Sequence, residues 1–133
     1  MIQPFELRLG NFVLQKQNGK ISMVPCHYTH FDLLHKGDAA SFYPVVLKAE
    51  LLQKCGFIEN KNYPLLPQAR EFVLVLPIIG SHKNELYGYV KTNGECFVRA
   101  TVNGAVATNN FFHLHQLQNL FFALTGTELE IKP

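Results

Sequence analysis

The stretch FFHLHQLQNLFFALTG, Phe111 to Gly126, decides how the chain is read. At the helical advance per residue, Leu114, Leu117, Leu120, Phe121 and Leu124 fall within an arc of about 120°, the width of a core-facing stripe. Gly126 follows as a residue suited to ending a helix. The spacing predicts a helix of about 12 residues, starting near His113 and covering one face of a sheet. His115, Gln118, Asn119 and Phe122 fall on the side opposite Leu117 and Leu120. Phe122 is a large aromatic where water is expected, so this arc is the candidate interaction surface, for a protein partner or a homodimer. The two histidines invite a metal reading. Within a helix, however, His113 and His115 lie about 200° apart, too far round to chelate one ion.

The sheet is read from the segments upstream. NFVLQKQNGKISMV alternates apolar and polar residues around Asn18-Gly19, a pair suited to a two-residue type I′ turn because both positions need positive φ. Strands are expected near Asn11–Gln17 and Lys20–Pro25, with another extended stretch near Tyr28–Leu34. In VVLKAELLQKCGF, Leu47, Leu51 and Cys55 recur at i, i+4 and i+8 and predict a short helix. Gly56 falls at C′, Phe57 at C″ and Leu52 at C3, the arrangement of a Schellman ending. REFVLVLPII, ELYGYVK and ECFVRATV are rich in β-branched and aromatic residues. Asn93-Gly94 and Asn103-Gly104 are read as further hairpin turns, and ELEIK as one more short strand. The prediction is α+β: an antiparallel β meander or small barrel-like sheet of about six to eight strands with two helices, the C-terminal one packed on the sheet. A single globular domain is expected over residues 1–133.

Composition narrows the class of function. The chain has 133 residues, 47% hydrophobic and 17% charged, ordinary for a globular protein and wrong for a disordered one. Apolar runs such as FVLVLPIIG are far shorter than the ~18–20 residues of a membrane helix. The opening MIQPFELRLG lacks the pattern of a secretion signal. Three cysteines, an odd number without any CxxC, favour a reduced, cytoplasmic setting. Twelve basic and 10 acidic residues give a net charge of +2, which disfavours nucleic acid as a partner. The alternative of a weak single-strand-binding module rests on Lys16, Lys20, Arg70, Lys91 and Arg99 with Tyr87 and Tyr89, aromatics on one strand face beside basic groups.

Three pieces in order, LRLGNFV, LLQKCGF and HQLQNLFFALTGTELEI, resemble a family of small uncharacterised bacterial proteins met near prophages and other mobile elements. The resemblance implies the fold outlined above and carries no activity. Similar proteins place Ser or Thr as a cap before the mid-chain helix, whereas Lys48 stands in that region here. That implies a weaker cap, a loss of about 1 kcal/mol.

Chemistry has few footholds. CHYTHFDLLH gathers Cys26, His27, His30, Asp32 and His35. Cys26, His27 and His30 are the metal candidates, and the same group is the seed of a metal-dependent enzyme or a Cys–His nucleophile. Zinc asks for three or four ligands in tetrahedral reach, and the familiar paired spacings are missing. No nucleophile elbow, P-loop, H-E-x-x-H or dinucleotide fingerprint occurs. The expectation is a non-enzymatic interaction or structural domain of a phage or mobile-element protein, without cofactor.

Overall fold

A computed structural model describes residues 7–26, 42–61, 69–78 and 81–132. Among them the chain forms eight strands in two antiparallel sheets and two helices, an α+β fold. The strands are β1 (Phe12–Gln17), β2 (Lys20–Pro25), β3 (Phe42–Pro44), β4 (Ile58–Asn60), β5 (Ala69–Val75), β6 (Asn84–Lys91), β7 (Cys96–Val102) and β8 (Ala105–Val106). The helices are α1 (Ala49–Lys54) and α2 (Leu114–Thr125). The chain divides into two compact units: residues 1–46 with 113–120, and residues 47–112 with 121–133. Helix α2 supplies residues to both.

The first unit holds the sheet β2-β1-β3. Asn18 and Gly19 take φ of 53° and 75°, the paired positive values of the predicted type I′ turn. The turn sets Gln17 opposite Lys20 and carries the register to Phe12 opposite Pro25. Alternation then sorts the side chains by face. Val13, Phe42 and partly buried Val24 pack inward with Leu7 and Cys26, and Val13 is 1% exposed. Helix α2 joins this unit by its first two turns. Leu114 donates its N–H to the Val45 carbonyl (2.8 Å), and Leu114 and Leu117 are fully buried. His113 caps the helix: its carbonyl accepts the Leu117 N–H, and its N–H is caught by Gln116 Oε1 at 3.1 Å. The Gln116 contact is the returning half of a capping box.

The second unit is a meander in strict chain order, β4-β5-β6-β7-β8. Asn103 and Gly104 form the expected type I′ turn, with φ of 50° and 85°. The Asn93-Gly94 hairpin differs from expectation. Only Gly94 has positive φ there; its N–H reaches the Lys91 carbonyl (2.9 Å), and the Lys91 N–H reaches the Glu95 carbonyl (2.8 Å). This is a three-residue loop, a type I turn closed by a glycine bulge, and the Glu95 N–H bonded to Asn93 Oδ1 holds it. An Asn-Gly pair fits both loops, and the flanking register decides between them.

Helix α1 starts at Lys48 without a side-chain cap and ends as predicted. The Phe57 N–H bonds the Leu52 carbonyl (3.0 Å), the Gly56 N–H bonds Gln53 (3.1 Å), and Gly56 has φ of 96°. These are the two bonds of a Schellman motif. Leu52 then reaches the sheet at Gly88, where an added Cβ would stand 2.6 Å from Leu52 Cδ1. Around it Phe72, Leu86, Val98 and Ala100 fill one face of the sheet. The tail at Glu128–Lys132 adds no strand; Lys132 hangs instead from the Lys54 carbonyl by one backbone bond of 2.8 Å. The extended stretch expected at 28–34 lies outside the described residues.

Candidate interaction surface

The arc proposed on α2 is revised by burial. His115 and Gln118 are 1% and 2% exposed, so neither presents a surface. Gln118 is structural: its Oε1 accepts the Phe12 N–H at 2.8 Å, satisfying a backbone donor on the side of β1 away from β2. Asn119 is likewise engaged, receiving Arg8 Nε at 2.7 Å while Arg8 Nη2 reaches the Gln118 carbonyl at 3.2 Å. A helical wheel assumes that a helix packs on one side only. Here a polar side chain on the far side is used to hold the first sheet, which the wheel does not reveal. Phe122 alone of the four keeps substantial exposure, 40%.

His113 and His115 come together, contrary to the helical-wheel expectation. His113 precedes the helix, so the 200° rule does not govern it, and its ring stacks on that of His115 at 5.9 Å with planes 7° apart. Among the described residues no cluster of three metal-capable side chains occurs. Cys26 is buried, with its thiol pushed up by that burial. His27, His30, Asp32 and His35 lie outside the described residues. Burial likewise pushes Cys55 up to about 12 and Cys96 up to about 11. A thiol held in that range is protonated at neutral pH and is a poor nucleophile.

The residues of the nucleic-acid alternative are divided between faces. Register puts Tyr87, Tyr89, Arg99 and Lys91 on one face of the meander, and Tyr87 and Tyr89 stack at 6.4 Å. Arg70 points to the other face, where it lies 5.1 Å over Phe72 and forms a bidentate pair with Glu59. Tyr89 is fully buried, and Glu71, 1% exposed and bonded to Asn60 Nδ2, stands in the same cross-strand row. The Arg99 guanidinium covers the Tyr89 ring at 5.0 Å. Burial raises the Tyr89 phenol above its ordinary range, the Arg99 guanidinium opposes that shift, and Glu71 reinforces it. Burial and the Glu85 carboxylate raise Tyr87 similarly. Base stacking needs an open ring face, and the Tyr89 ring offers none.

A different surface stands out, on the outer side of the first sheet. Leu14 pairs with Met23 on one side and Tyr43 on the other, giving one apolar row across all three strands. Ile21 lies beside it, opposite Lys16. Ile21, Met23 and Tyr43 are 62%, 43% and 42% exposed. An antiparallel sheet with one solvated face normally carries polar residues there. Here three of the outward positions are large and apolar. The alternation in FVLQKQNGKISMVP hid this, because both faces carry apolar residues and either set fits a core. On the meander, exposed Ile58 and Val75 border a groove of about 490 Å³ but sit in two different cross-strand rows, and exposed Val106 lies apart on β8.

No family model, curated protein or solved structure matches this chain. No helix among the described residues is long and apolar enough to cross a membrane.

Proposed function

We propose that this chain is a non-enzymatic protein-interaction domain that engages its partner through the outer face of the first sheet. The observation carrying this reading is the apolar row Leu14–Met23–Tyr43, exposed at Met23 and Tyr43, with exposed Ile21 beside it. Contiguous apolar exposure rimmed by polar groups marks contact sites. Lys16, cross-strand from Ile21 on the same face, supplies that rim at the turn end. The buried, protonated thiols supply no nucleophile. The motif resemblance supports placing the domain in a phage or mobile-element protein, and the three free cysteines support a cytoplasmic setting. The contact surface differs from the α2 arc of His115, Gln118, Asn119 and Phe122, the first three of which are buried or bonded internally.

Co-purification from the native host with tagged wild type and tagged Met23→Lys tests the reading. A protein retained by wild type and lost from the variant is the expected outcome. The same set of proteins on both, with both folded, would overturn it.

A further inference from the structure

We infer that the first sheet takes up an extended segment of a partner protein as a fourth strand beside β2, with apolar residues at alternate positions and acidic residues at the end nearest the Asn18-Gly19 turn. This rests on the interaction reading above and names the partner's chemistry.

Among the described residues, strand β2 stands at the edge of its sheet. The two-residue turn makes Gln17 and Lys20 a hydrogen-bonded pair, so even-numbered residues of β2 point their backbone groups at β1. The parity holds beyond the strand, where the Cys26 N–H reaches the Asn11 carbonyl at 2.6 Å. Odd-numbered Ile21 and Met23 therefore turn N–H and C=O outward along the open edge, and their side chains stand on the apolar outer face. Pro25, the next odd position, has no N–H and ends the run. Natural edge strands are blunted by charge, proline or bulges. Between Lys20 and Pro25 the segment Ile21-Ser22-Met23-Val24 carries none of these. The edge β4 of the meander contrasts with it: three residues long and carrying the Glu59–Arg70 ion pair.

Area selects the kind of occupant. Two strands of six residues and one of three, about 4.8 Å apart, present at most roughly 14 Å by 20 Å, under about 300 Å². A stable protein–protein interface needs about 800 Å² from each partner. The face is too small for two rigid copies and suits one added strand, whose main chain bonds the edge while alternate side chains take the apolar row. Charge selects the segment's polarity. From Phe12 to Pro25 the hairpin carries Lys16 and Lys20 and no acid, both lysines at the turn end. Lys16 stands on the outer face and Lys20 on the opposite one, so both favour acidic residues at this end of the added strand.

The test is selection of a random peptide display library on the immobilised full-length chain, followed by titration of the selected peptides into wild type and three variants. Met23→Lys and Tyr43→Lys charge the face. Ile21→Pro removes an outward N–H and an outer side chain while sparing the bonds to β1. Expected are peptides of alternating apolar pattern with Asp or Glu at one end, weakened at least about tenfold by each variant and weakened by salt. Reversing Lys16 and Lys20 to Glu is expected to shift the selected ends to basic residues. Weakening by the face variants but not by Ile21→Pro would overturn strand addition and leave the interaction reading standing. Indifference to all three variants, or no selected peptide, would overturn both. Sedimentation showing a dimer lost in Ile21→Pro would replace the partner segment with a second copy.

Discussion

Asn18, Asn93 and Asn103 show what a single residue decides and what it leaves to its surroundings. Each precedes a glycine, yet only Asn18 and Asn103 adopt positive φ. The residue permits the turn, and the strands it joins choose the type. The cysteines show the complementary case, where surroundings set the chemistry of a residue. Cys55 ordinarily loses its proton near 9 and holds it to about 12 because burial penalises the thiolate. Below 9 both the folded and the unfolded chain keep the proton, so the contribution to stability is fully present. As pH rises from there toward 12, the unfolded chain sheds its proton first, and stability is lost. Urea midpoints measured from about pH 8 to about pH 11 are expected to fall, with Cys55→Ala falling less steeply by an amount on the order of a few kcal/mol. An equal slope in both proteins would show that burial does not govern this thiol.

Among the elements, α2 was the most legible and the most misleading. Its extent, its glycine stop and its buried Leu114 and Leu117 follow from periodicity. The role of Gln118 does not, because a wheel counts apolar residues and is silent on a glutamine that satisfies a backbone N–H in another element. That bond gives the element a testable energy. Gln118→Ala leaves the Phe12 N–H without its acceptor, a loss of about 1–3 kcal/mol. Urea denaturation reads the loss, and the Phe12 amide is expected to exchange with solvent faster than its neighbours Val13 and Gln15. Unchanged exchange at Phe12 would mean that water serves it equally well. Helix α1 was legible to its last bond, since Leu52, Gly56 and Phe57 are local in sequence and a Schellman ending needs nothing else. The turn types and the tail were less legible, because strand register and long-range docking fix them.

At the scale of the whole molecule, the described residues form the expected α+β fold, with two antiparallel sheets and two helices in place of a single meander or barrel-like sheet. The difference arises at β3, which returns to pair with β1 rather than extending the series. Consecutive pairing is a tendency, and segments of equal alternation do not say where a sheet stops. Among the described residues, that stop leaves β2 at an edge and gives the first sheet an outer face of Leu14, Ile21, Met23 and Tyr43. This face is either a surface kept for a partner or part of the packing that holds the fold. Equilibrium urea denaturation of Met23→Lys beside Leu117→Lys separates the two. A lysine on a solvated face is expected to shift stability by no more than about 0.5 kcal/mol, whereas one at fully buried Leu117 should cost more than about 4 kcal/mol or prevent folding. Comparable losses in the two variants would place Met23 inside the protein's own packing and contradict the account.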